Sequence, residues 1–213
     1  MSGHSKWSTI KRQKGLTDAK RGNIFTKLSN AISVAVREGR GVEQAVEKAK
    51  ASNMPKDNIQ RAIDKGMGKG GADSLETVVF EGFGPGGVAV IVEAITDNNN
   101  RTSSEIRNIF SKHGGTLGGP GSVAYMFTRV GEIEGETLEK AVEVGALDFE
   151  DGTIYTKPED LHRISEVLGK SGDLIYRPNK ETMVQVVDKE KLEVFLDAID
   201  ELDDVQEVYI NYA

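Results

Sequence analysis

Apolar residues recur at intervals of three and four from Ile24 through Phe25, Leu28, Ala31, Ile32 and Ala35 to Val36. That spacing is the stripe of one helix face, and Gly39 stops it. Val42, Ala45, Val46 and Ala49 predict a second helix from Val42 to Ser52, closed by Asn53. Pro55 at a first helical position and Asp57 in the first turn open a third, which carries Ile59, Ala62 and Ile63 to Gly66. Short amphipathic helices bury their stripes against one another or against the rest of the chain, so a helical domain is expected over residues 1 to 75. Ahead of it, Ser2 to Gly22 holds only Trp7, Ile10, Leu16 and Ala19 as apolar residues, at no regular period, and reads as an arm.

Beyond the glycine-rich linker Gly66 to Gly71 the period changes to two. Residues 77 to 83 and 88 to 96 read as strands joined by Gly84-Pro85-Gly86-Gly87, a hairpin. Thr102-Ser-Ser-Glu105 fits a capping box for a helix carrying Ile106, Ile109 and Phe110 to Gly114-Gly115, and Val123, Tyr125 and Phe127 alternate as a further strand. Next come a strand (Val130 to Glu134), a helix (Leu138, Ala141, Val142) and a hairpin turning at Glu150-Asp151-Gly152. A helix (Leu161, Ile164, Leu168) and a strand (Leu174 to Tyr176) follow. That order, βαββαβ, is ferredoxin-like. The chain closes with a strand (Met183 to Val187), a helix with Leu192, Phe195, Leu196, Ile199 and Leu202, and a strand placing Val208, Ile210 and Tyr212 on one face. This last βαβ is too short for a core of its own and is expected to complete the sheet begun at residue 77. The fold class expected is therefore α+β in three domains. The first is the helical domain with its basic arm (1 to 75). The others are two α/β sandwiches, residues 76 to 129 plus 178 to 213 and an inserted ferredoxin-like unit at 130 to 177.

Charge divides the chain along the same line. The total is −7, yet residues 1 to 71 hold 15 Lys and Arg against 6 Asp and Glu, and the remainder holds 12 against 28. A basic head on an acidic body marks a nucleic-acid-binding end, because the body repels phosphates and confines contact to the head. Cysteine is absent, which removes disulfides, thiolate metal sites and cysteine nucleophiles. The start of the chain lacks the apolar segment of a signal peptide. The longest apolar run, Val88 to Val92, is far below the about 20 residues of a membrane helix. A cytoplasmic protein without membrane contact is expected.

The expected contact surface is Lys6, Trp7, Lys11, Arg12, Lys14, Lys20, Arg21 and Lys27, with His4, Arg101 and Arg107 as secondary positions. Long cationic side chains follow phosphates and release condensed counterions. Trp7 either stacks on a base or folds back onto the first helix. The three helices do not identify a recognition helix, so a helix-turn-helix is a weaker reading.

Catalytic chemistry finds little footing. The loop Gly82 to Gly87 leads into a strand rather than the helix N-terminus that dinucleotide binding needs, and Gly66 to Gly71 lacks Gly-Lys-Ser/Thr. His4, His113 and His162 have no metal-ligand spacing. The acidic run Asp197, Asp200, Glu201, Asp203 and Asp204 reads as a solvated helix face, with a magnesium-dependent enzyme as the competing hypothesis from another class. No catalytic residue, metal or cofactor is expected, and no small-molecule substrate.

Gly3-His-Ser-Lys-Trp7, Asp18-Ala-Lys-Arg-Gly22 and Ile24-Phe-Thr-Lys-Leu28 closely resemble the start of the YebC/PmpR family, to which the mitochondrial translational activator of cytochrome c oxidase belongs. Further blocks continue the likeness in order: Asn53 to Ile59, Glu81 to Ala89, Thr96 to Asn98, Asn100 to Thr102, Ser111 to Gly115, Gly121 to Tyr125 and Asp204 to Tyr209. The resemblance implies a helical N-terminal domain, two α/β domains with the third inserted into the second, and a gene-expression factor without catalytic activity. Members are commonly described as DNA-binding transcriptional regulators. Others act in translation at the ribosome, including relief of stalling on proline-rich nascent chains. Asn99 stands where many members carry a basic residue, and the connection from Gly39 to Gln44 looks shorter than usual. DNA and ribosomal RNA remain alternative targets, since a basic arm follows the phosphates of either.

Overall fold

A computed structural model describes residues 18 to 69, 75 to 186 and 188 to 212, with only the backbone described for 18 to 21. Three helices come first, α1 (Asp18–Glu38), α2 (Val42–Ala51) and α3 (Lys56–Gly66). Ile32, Ala49, Met54, Ile59 and Ala62 form their shared core, with Phe25, Leu28, Val36, Ala45, Val46 and Ile63 around it. α1 and α3 cross closely at Gly66, where a Cβ would lie 2.5 Å from the Ser33 carbonyl oxygen and 2.7 Å from Val36 Cβ. The Ser33 hydroxyl secures that crossing by donating to the Ala62 carbonyl at 2.9 Å.

The first sheet contains β1 (Glu76–Phe83), β2 (Ala89–Thr96), β3 (Thr116–Leu117) and β8 (Val205–Ile210), in the order β3-β1-β2-β8. All its pairings are antiparallel, and β1 and β2 form a hairpin in register from Glu76↔Thr96 to Phe83↔Ala89. Helices α4 (Asn99–Lys112) and α7 (Lys189–Asp200) cover one face. There Val88, Val90 and Val92 meet Ile106, Phe110, Leu192, Phe195, Leu196 and Ile199.

The second sheet contains β4 (Phe127–Glu134), β5 (Asp148–Glu150), β6 (Thr153–Thr156) and β7 (Asp173–Pro178), in the order β5-β6-β4-β7. Its first strand in the chain lies between its third and fourth, the ferredoxin-like arrangement. Helices α5 (Leu138–Val144) and α6 (Leu161–Leu168) cover one face through Ile133, Ala141, Val144, Ile154 and Ile164. The other face lies against the first sheet, where Val130, Tyr155 and Ile175 meet Ala89, Ile91 and Tyr209. β2 is therefore covered on both faces, which is why its sequence is a continuous apolar run rather than an alternation.

A polar contact closes the edge of this sheet-on-sheet layer. Glu93 accepts from Arg129 at 3.0 Å and from the Tyr209 hydroxyl at 3.1 Å, and Arg129 lies over the Tyr176 ring at 4.6 Å. Burial first, then the Glu93 carboxylate, pushes the Tyr209 hydroxyl well above its ordinary range, so it remains a donor.

Several expectations are corrected. The segment read as an arm ends sooner, since α1 begins at Asp18 rather than after Gly22. Pro55 caps α3 from outside instead of occupying its first turn. α4 starts at Asn99, capped by the Asn98 side chain accepting from the Arg101 N–H, so Thr102 lies inside the helix and makes no capping box. Its buried hydroxyl bonds to Thr96 Oγ1 and Asp204 Oδ2 at 2.8 and 2.6 Å. Residues 123 to 126 form a turn rather than a strand, because the Glu81 carboxylate collects the backbone N–H groups that a ladder would use. The short β3 takes the place beside β1. Met183 to Val186 makes a single bridge, Val184 to Tyr212, in place of the expected strand. On α5 it is Val144 rather than Leu138 or Val142 that joins Ala141 in the core.

Candidate nucleic-acid interface

His4, Lys6, Trp7, Lys11, Arg12 and Lys14 lie outside the described residues, as do the side chains of Lys20 and Arg21 in the first turn of α1. What the structure does give is the seat of α1 on the body. α1 seats on the body through Ala31 and Val34, which pack against Leu75 and Ile95. Polar contacts continue the seam: the Asn23 amide donates to the Glu201 carbonyl at 2.7 Å, and Lys48 pairs with Asp173 at 2.5 Å.

Lys27, expected on the contact surface, belongs to this seam instead. Its ammonium donates to the Asp200 carbonyl at 2.6 Å and to Asp200 Oδ1 at 3.1 Å, with 14 % of the side chain exposed. A charge held in that way does not follow a phosphate. Arg101 is engaged likewise, bridging Asp97 at 3.0 Å and Asp204 at 2.7 Å. Arg107 is exposed on α4 and has no charge partner among the described residues.

Part of the acidic run at the end of α7 is therefore structural: Asp200 accepts from Lys27, the Glu201 backbone carbonyl accepts from Asn23, and Asp204 meets Arg101 and Thr102 at the start of α4. Among the described residues no group of three or more His, Cys, Asp or Glu side chains could hold a metal ion. The glycine loop from Gly84 to Gly87 is the turn of the β1–β2 hairpin, with Gly86 and Gly87 at φ of 75° and 78°. His113 ends α4 and lies 6.0 Å from the Phe195 ring, a packing position.

Five further cations enlarge the basic surface of the head. Arg37, Lys50, Lys56 and Arg61 are exposed and Lys65 is half-buried, and none has an acceptor among the described residues. The arm holds the densest cationic cluster, and the excess of 15 over 6 already requires further cations outside it. A helical head with unpaired cations, seated where Asp200 is already answered by Lys27, has the charge to attract a phosphate backbone.

Comparison with known proteins places this architecture. Residues 5 to 69 match the TACO1/YebC protein N-terminal domain, and residues 75 to 212 match the TACO1/YebC second and third domain. Among similar proteins, a probable transcriptional regulatory protein from Rubrobacter xylanophilus is 48 % identical, covering 100 % of this chain and 95 % of its own. Another from Thermoanaerobacter pseudethanolicus is 45 % identical over 99 % of this chain and 96 % of its own. The crystal structure of a conserved hypothetical protein from Aquifex aeolicus superposes with a TM-score of 0.85 at 42 % identity, covering 97 % of this chain and 96 % of that one. The chain belongs to the TACO1/YebC family.

Proposed function

We propose that the protein is a non-catalytic regulator of gene expression that binds nucleic acid through its basic head, as a DNA-binding transcriptional regulator. One observation carries the reading: residues 1 to 71 concentrate 15 cations against 6 acids, on a chain whose remainder is strongly acidic. Phosphate contact is then a property of the arm, at Lys6, Lys11, Arg12, Lys14, Lys20 and Arg21, extended by the unpaired cations of the three helices. Lys27 and Arg101 instead hold the head and the β2–α4 junction in place. Relatives named as probable transcriptional regulatory proteins support the regulatory role. Among the described residues no helix is long and apolar enough to cross a membrane.

Affinity purification of the full chain from cells, with and without nuclease, followed by sedimentation tests this directly. The expected result is co-purification with DNA that deoxyribonuclease abolishes and ribonuclease does not. Persistent co-sedimentation with ribosomal subunits after deoxyribonuclease treatment would replace the reading with that of a ribosome-associated translation factor.

A further inference from the structure

Tyr125 is 65 % exposed, and it is the one exposed aromatic side chain among the described residues. The ring stands on a fixed support. On one side of it Glu81, a residue 8 % exposed, accepts three backbone N–H groups with its carboxylate. Oε1 takes that of Gly121 at 2.7 Å, and Oε2 takes those of Val123 and Ala124 at 2.9 and 2.8 Å. On the other side Asn179 donates its side-chain amide to the Tyr125 carbonyl at 3.0 Å and its backbone N–H to the Met126 carbonyl at 2.8 Å. Thr182 adds a bond to the same Met126 carbonyl at 3.0 Å. Val123, two residues before, is wholly buried between the sheets. The backbone is pinned before, at and after Tyr125 while the ring faces solvent.

The surroundings suit a polyanion better than the rest of the body does. Asn211 ties Ala89 to Met126 and Thr182, so this turn lies at the Ala89 end of β2. At the same end Lys112, Lys180, Lys189 and Lys191 are exposed, with the Lys191 ammonium beside Gly114. They balance Glu81, Glu181, Asp188 and Glu190, four against four, whereas the remote end of α7 carries Asp197, Asp200 and Glu201. The head seats at Ile95, six residues along β2 from Ala89, a separation of about 20 Å at the usual strand rise.

We propose that Tyr125 is a fixed stacking platform for an unpaired base of a single-stranded nucleic acid held by the basic head, an inference that rests on the nucleic-acid reading above. A rigid ring takes up a base face with little ordering cost, and every base presents such a face. Bases inside a duplex are already stacked on both sides, so the platform serves single strands and leaves duplex binding to the cations. A strand that leaves the head and follows the body's surface toward the Ala89 end of β2 would meet the ring there.

The test compares full-length wild type with Tyr125→Ala and Tyr125→Phe, using fluorescence anisotropy with an oligothymidylate single strand and with a duplex, alongside thermal melts. Tyr125→Ala is expected to weaken single-strand binding roughly 5- to 100-fold. Tyr125→Phe should bind as wild type does. Duplex affinity, the salt slope and Tm should stay unchanged in both, since no cation and no buried contact is removed. Wild-type affinity of Tyr125→Ala for the single strand overturns the inference alone and leaves the platform to a protein ligand. A fall in Tm that tracks the lost binding assigns the effect to folding and overturns it too. Failure of the wild type to bind either oligonucleotide removes the nucleic-acid reading together with the inference.

Discussion

Removing residues 179 to 213 is expected to abolish the folded state of the first sheet rather than trim its edge. The deleted part supplies Leu192, Phe195, Leu196, Ile199, Val205, Val208 and Ile210, all within the core over that sheet. At about 1.5 to 3 kcal/mol for each fully buried side chain, their loss amounts to roughly 10 to 20 kcal/mol. That exceeds or matches the roughly 5 to 15 kcal/mol by which a domain is stable. β2 also loses its neighbour β8, which leaves a long apolar strand with an open edge. The expected boundaries at 130 and 177 move outward, since β4 begins at Phe127 and β7 ends at Pro178, and we propose that residues 76 to 126 and 179 to 213 are one folding unit interrupted by residues 127 to 178. The inserted unit keeps the core around Ile133, Ile154 and Ile164 under this deletion. Circular dichroism and thermal melts of the fragment should show helix and sheet lost from the first unit. A fragment that melts cooperatively at the wild-type temperature would contradict the division.

The second large effect falls on Glu81. Glutamine keeps the shape of the side chain but replaces one acceptor oxygen by an NH2 group, so at least one of the N–H groups of Gly121, Val123 and Ala124 then faces a donor. Bonds to an ionised acceptor are worth about 1.5 to 3 kcal/mol each, so Glu81→Gln should cost on the order of 3 kcal/mol at neutral pH. Burial opposes ionisation of Glu81, but the three N–H donors together outweigh it and hold the carboxyl below its ordinary value of 4.5. A carboxyl lowered in the folded state stabilises above its unfolded pKa. That contribution disappears as pH falls through the folded value. The stability gap between wild type and Glu81→Gln is thus expected to be full at pH 7 and to narrow below about pH 4. Denaturant unfolding at the two pH values measures it, and a variant as stable as wild type at pH 7 would show that the turn is held by other means.

Periodicity along the chain was enough to draw the helices of the head, the β1–β2 hairpin and the βαββαβ order, because each is set by local spacing of apolar residues. What escaped notice depends on partners distant in sequence. Val123 to Phe127 alternates as a strand does, yet Glu81, 42 and 43 positions before Val123 and Ala124, captures their N–H groups. Thr102 has the look of a cap because its buried partner Asp204 is 102 positions downstream. Leu138 and Val142 have helical spacing, and only the sheet beneath decides that Ala141 and Val144 face it. The same distance effect governs the candidate site. Lys27 is one more cation of the basic head until Asp200, 173 positions on, is seen to hold it, and Arg101 is answered by Asp204 103 positions on. Net charge located the surface, while ion pairing between remote segments decides which cations remain free to meet a ligand.

The central claim is tested most directly by the salt dependence of duplex DNA binding, measured on the full chain and on a chain lacking Ser2 to Thr17. That deletion removes Lys6, Lys11, Arg12 and Lys14 and leaves α1 intact from Asp18. Each phosphate contact contributes about 0.9 to the magnitude of the slope of log K against log salt. If all four cations contact phosphates, the slope should flatten by about 3 to 4, with affinity at low salt falling in step. Equal affinity and equal slope for the two proteins would contradict the account.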